Sequence, residues 1–138
     1  MKPLKWFVLS SLLMTAVLGG CARAARDTQG FAVVSTATVE APFENTWQAT
    51  KAVLRERDLD IYTRDKRGMF VAFTPMRRHL FMVPKRTQYT ISLEARGNQE
   101  TAITVETVGQ VYGVTVLTYP GWHDRKTTDD AEAVAILD

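Results

Sequence analysis

Apolar and polar residues change their spacing along this chain, and each change marks an element. From Trp6 to Leu18 no charged residue occurs, and Trp6, Phe7, Val8, Leu9, Leu12 and Leu13 dominate the run. Cys21 to Gly30 is small and polar, a tether rather than a core segment. Phe31 to Val39 is rich in β-branched residues and predicts a first strand. Pro42 opens a helix in which Phe43, Trp47, Thr50, Val53 and Leu54 recur at helical spacing, ending near Arg57 or Asp58. Leu59–Thr63 and Met69–Phe73, joined by the polar turn Arg64–Gly68, predict a hairpin. Thr87 to Glu94 alternates, with Tyr89, Ile91 and Leu93 on one face, and Thr101 to Val108 returns with Ile103 and Val105 inward. Gln110 to Tyr119 reads as a further edge strand with Gly113 at a bulge, and Tyr119-Pro120-Gly121 reads as its end. A short last helix follows, with Asp129 and Glu132 spaced as a capping box and Ala131, Val134, Ala135 and Leu137 on its packing face. The expectation is an α+β domain: an antiparallel sheet of five to six strands with helices on one face, in the order β-α-β-β-β-β-(β)-α.

The first run is too short for a roughly 30 Å hydrocarbon core, which takes about 20 apolar residues. Its length suits the apolar part of a secretory signal, with Lys2 and Lys5 before it and Gly19 and Gly20 after it. The only cysteine follows at once, in Leu18-Gly19-Gly20-Cys21. Basic start, apolar run, small residues and cysteine together resemble the signal and lipobox of bacterial lipoproteins. That resemblance implies cleavage before Cys21, a diacylglycerol thioether and fatty acyl chains such as palmitate on it, and, with Ala22 next, sorting to the outer membrane facing the periplasm. The expected organisation is a signal peptide over 1–20, a lipidated tether over 21–30 and one domain over 31–138.

The signal also changes the charge balance. The whole chain has 17 Lys and Arg against 15 Asp and Glu, and Lys2 and Lys5 account for the excess. A mature chain without net charge gives no reason to expect a nucleic-acid partner.

Few residues suit catalysis. The cysteine is assigned to lipid, and His79 and His123 lie in different segments without metal-binding spacing. Asp129 and Asp130 suit a helix start better than a catalytic pair. The pattern argues against an enzyme and calls for no cofactor or metal.

Two segments suit contacts instead. Thr74 to Arg86 is longer than a hairpin connection needs and sets Arg77, Arg78, Lys85 and Arg86 around Leu80-Phe81-Met82-Val83. It reads either as a docking loop for an anionic lipid surface or an acidic partner, or as another core strand with solvated charges at its ends. Tyr119 to His123 places Trp122 in a Pro/Gly loop beside Arg125 and Lys126, either as a contact anchor or as a cap on the sheet.

Over the strand-helix-hairpin stretch from Thr38–Trp47 through Gly68–Val71, and in element order over roughly residues 31–138, the chain resembles the helix-grip domains of envelope lipoproteins, and distantly the C lipoprotein family of the β-barrel assembly machinery. Those domains likewise run strand, helix, strand and glycine-closed turn; that family typically carries two of them, this chain one. The resemblance implies a membrane-anchored, non-enzymatic interaction or assembly module that contacts another envelope protein. Arg77, Arg78, Phe81, Trp122 and Arg125 are its expected contacts and Cys21 its lipidation site. The alternative is a module holding a small apolar ligand or lipid between helix and sheet, in a cavity beneath Trp47.

Overall fold

The computed structural model describes residues 28–76, 83–115 and 118–138. Cys21, Arg77, Arg78, His79 and Phe81 lie outside the described residues. The elements run β1 (Val33–Val39), α1 (Phe43–Glu56), β2 (Asp60–Asp65), β3 (Met69–Phe73), β4 (Lys85–Ala95), β5 (Thr101–Thr115), β6 (Thr118–Arg125) and α2 (Ala131–Leu137). They form an α+β fold with one open, antiparallel six-stranded sheet in the order β1-β5-β4-β3-β2. β6 also pairs with β5, along Gly109–Thr115, whereas β1 takes Thr101–Thr107. β1 and β6 thus share one side of β5.

Alternation along the strands sorts the sheet into two faces. Register sets Phe70 beside Ile91 and Ile91 beside Val105, with Leu93 beside Ile103, so these side chains share a face. Both helices bury their apolar stripes on it. Trp47 and Leu54 from α1, with Ala133 and Ile136 from α2, join Phe70, Ile91 and Val105 in one cluster. Each fully buried Leu, Ile or Phe there contributes roughly 1.5–3 kcal/mol relative to exposure. Trp47 packs on Phe70 with ring centroids 5.2 Å apart, and its indole N–H donates to the Asp65 carbonyl at 3.0 Å. That bond fastens α1 to the end of β2.

Helix α1 begins after Pro42, whose carbonyl accepts from both the backbone N–H and the hydroxyl of Thr46. It ends in a Schellman motif: Leu59 N–H reaches the Leu54 carbonyl, and Asp58 N–H reaches that of Arg55. Asp58 takes the left-handed conformation that glycine usually supplies, with φ 54°. Arg57 then bonds Glu132 of α2, both side chains being about one-third exposed.

The structure corrects the sequence-based expectation at three places. The first is the end of β5, which runs unbroken to Thr115 rather than pausing at Gly109. The second is Trp122 and Arg125, which sit in strand β6 rather than in a loop. Pro120 is accommodated because β6 pairs only with β5 and the register shifts between Gly113 and Thr115, so no ladder donor is required of it. The third is α2. Asp129 accepts from the Ala131 N–H, Glu132 turns to Arg57 instead of closing a capping box, and Ala133 and Ile136 are the buried residues, leaving Val134 exposed.

Two expected outcomes test this architecture. Gly68 closes the β2–β3 turn at φ 109°, and a Cβ there would strike the Leu93 carbonyl oxygen and the Phe43 ring. Gly68→Ala should lose at least about 1–2 kcal/mol in urea unfolding, the cost of the backbone conformation alone. Tyr89 is buried in the core, and burial first, then the charge of Glu132, pushes its phenol above the ordinary value. Its contribution is therefore complete below about pH 10, the ordinary tyrosine value, and is lost as pH rises above that. Tyr89→Phe should flatten the alkaline fall in stability followed by circular dichroism.

Candidate functional site

The sheet face away from the helices carries an unusual cluster at one end. Strand pairing sets Gln110 between Arg86 on β4 and Asp124 on β6, and sets Tyr112 beside Trp122. Phe73, at the end of β3, points to the same face. The Arg86 guanidinium lies 3.9 Å from the Phe73 ring centroid and 4.1 Å from that of Trp122, so it is stacked between two aromatic planes. Two such contacts contribute about 0.5–2 kcal/mol each, more where water is excluded. Tyr112 meets Trp122 edge-on at 5.4 Å, and Tyr62 meets Phe73 likewise at 6.1 Å. Tyr62 is 81% exposed and forms the outer rim.

Gln110 organises the polar side of the cluster. It is almost fully buried. Its carbonyl accepts from Arg86 Nε at 2.7 Å, and its amide donates to Asp124 at 2.8 Å and to Gln88 at 3.0 Å. Every polar group of the amide is engaged, which a buried amide requires. Burial lowers the Arg86 pKa from its ordinary value, but a guanidinium so basic stays charged. Its two terminal NH₂ groups donate to no described residue. They form a fixed, charged fork at the surface, bordered by aromatic rings.

A second opening lies on the helix-bearing face, past the C-terminal end of α1. It is a cleft of about 850 Å³ whose walls include Lys85, Arg125, Lys126, Thr87 and Thr127. The space beneath Trp47, where an apolar ligand was expected, is occupied by Phe70. The open volume between helices and sheet is instead at this charged end.

The structure thus brings Trp122 into the aromatic cluster and Arg125 into the cleft, on opposite faces of β6. Phe73, Gln88, Gln110, Tyr112 and Asp124 were not foreseen as site residues, and Arg86 was read as one charge of a basic segment. A usable signal was present: strand alternation puts Phe73, Tyr112 and Trp122 on the face that should be polar. His123 packs its ring over Gly113, where a Cβ would come within 2.8 Å of it, and its Nε2 is buried without a hydrogen-bond partner. Among the described residues no cluster of His, Cys, Asp and Glu is arranged to hold a metal, and no helix is long and apolar enough to cross a membrane.

Comparison with protein-family models and with curated proteins gives no match. The chemistry available to the chain is therefore read from its own residues.

Gln110→Leu should leave the Arg86 Nε and the Asp124 carboxylate without their partner. A loss of about 1–3 kcal/mol in urea unfolding is expected. The Trp122 fluorescence should change with it, because the cation stacked on the indole would no longer be held.

Proposed function

We propose that this chain is a lipid-anchored envelope lipoprotein, held by Cys21 at the outer membrane and facing the periplasm, that acts as a non-enzymatic interaction or assembly module. Its fold is read as helix-grip-like, in keeping with the order of strands and helices around α1. The partner is another envelope protein, and the contact surface is the aromatic end of the open sheet face. The Arg86 fork between Phe73 and Trp122 carries this reading. A guanidinium whose orientation is already fixed loses little freedom on pairing, and its free edge suits a carboxylate bidentately. Phe73, Trp122 and exposed Tyr62 surround it with aromatic area, the composition found at interface hot spots. The favoured partner feature is an acidic side chain flanked by apolar residues.

The sequence before Cys21 supports the anchor, since burying acyl methylenes contributes roughly 0.8 kcal/mol each and two or three chains suffice for stable attachment. Of the five residues first expected to bind the partner, Trp122 keeps that role here. Arg77, Arg78 and Phe81 remain candidates from the sequence alone.

A photo-crosslinking residue at position 62 in intact cells should capture a discrete protein, while one at Thr36, far along the same face, should not. Arg86→Lys should reduce capture at least tenfold, because lysine keeps the charge but not the planar fork. Equal capture from both positions, or full capture by Arg86→Lys, would overturn the surface assignment. Cys21→Ser should separately abolish palmitate labelling.

A further inference from the structure

The cleft on the helix-bearing face borders the cluster just described, since Arg86 and Gln110 also line it, but the rest of its lining differs in chemistry. Lys85, Arg125 and Lys126 line it without an ion pair among the described residues. Arg125 spends one N–H on the neighbouring Asp124 carbonyl and donates to no other described residue. The one carboxylate in the lining, Glu132, is taken by Arg57. Hydroxyls of Thr87 and Thr127 border the cations, and Leu59 and half-exposed Val83 supply apolar wall. A site with cations and hydroxyls beside hydrocarbon fits an amphiphile with an anionic head.

Its position in the chain narrows the occupant. Thr127 N–H donates to the Phe31 carbonyl at 3.3 Å, so the rim of the cleft is bonded to the start of the folded domain. Cys21 precedes Phe31 by ten residues, a tether of at most about 35 Å when fully extended. The cleft therefore sits where the chain leaves toward its anchor, within reach of headgroups. We propose that it binds the phosphate headgroup of an anionic phospholipid in the membrane that holds the chain. The inference deepens the anchored reading and rests on it for the choice of a membrane as the source of phosphate. Binding here would turn the domain so that its helix-bearing end meets the bilayer and the open face around Tyr62 and Phe73 stays accessible.

The test uses the chain from residue 21 carrying Cys21→Ser, so that no acyl chain contributes; it retains the whole core described above. Sedimentation is measured with vesicles of phosphatidylcholine alone and with vesicles containing about 30% phosphatidylglycerol, which gives a strongly negative surface. Binding to the anionic vesicles only, falling steeply with salt, is expected. The double variant Lys85→Gln/Lys126→Gln should lose on the order of twentyfold, from about fivefold per cation near an anionic surface. Thr36→Ala, exposed on the opposite face and outside the partner surface, should bind as the parent does, and circular dichroism should be unchanged for both. Equal binding to neutral vesicles, or an unaffected double variant, would overturn the proposal. Abolition by millimolar inorganic phosphate at constant ionic strength would also overturn it, reassigning the cleft to free phosphate. Palmitate labelling of the native chain reports the anchor independently, so failure of either reading is distinguishable from failure of the other.

Discussion

Strand β5 is the constraint on which the rest of the molecule depends. It runs from Thr101 to Thr115 and pairs with β4 along one side and with β1 and then β6 along the other. Its first half places Ile103 and Val105 beneath the helices and forms part of the core. Its second half continues past the end of α1. Beyond that point the helix-bearing face has no helix to bury it, and the cleft by Gly109 and Val111 results. On the other face the same residues, Gln110 and Tyr112, build the stacked cation. One strand that outruns its helices thus creates both candidate surfaces.

Burying part of a guanidinium has a cost that the surroundings must offset. Arg86 loses water on both faces and gains two aromatic planes and a charged hydrogen bond to Gln110. Gln110 in turn depends on Gln88 and Asp124, so the stack requires three strands in register. A cluster built this way is rigid, and rigidity favours recognition because little remains to be ordered on contact. A core aromatic pair would have stabilised the same place at lower cost. A charge at that place, on the face without helices, is the feature on which the proposed contact surface rests.

Much of the sheet was legible from alternation, and the reasons for the remainder are local. Tyr89, Ile91 and Leu93 declare the inner face of β4, and Ile103 and Val105 that of β5, because one wet face forces period-two spacing. Gly113, Pro120 and Gly121 each lower strand propensity, so the sequence around them reads as a break. Pairing with β5 overrides that preference, since an edge strand with a shifted register tolerates both residue types. The end of α1 was legible too, although Asp58 holds the left-handed position without being glycine. Arg86 was not. Its meeting with Phe73 and Trp122 is set by strand order, and no local pattern carries strand order.

The two surfaces use cations in opposite ways, and the difference follows from their settings. Arg86 is fixed by stacking and by Gln110, so it offers direction as well as charge. Lys85 and Lys126 are exposed and make no ion pair among the described residues, and their point charges on long stems offer charge with little direction. A folded partner with one carboxylate at a fixed place rewards the first arrangement. A fluid headgroup layer, where phosphates move laterally and no single geometry persists, rewards the second. The bond from Thr127 to Phe31 puts the directionless cations beside the start of the described domain, and strand alternation turns Lys85 to the face opposite Arg86. On the proposed reading, a chain whose charges balance once Lys2 and Lys5 are set aside can still meet two negative surfaces, because Arg86 and the Lys85–Lys126 group differ in setting.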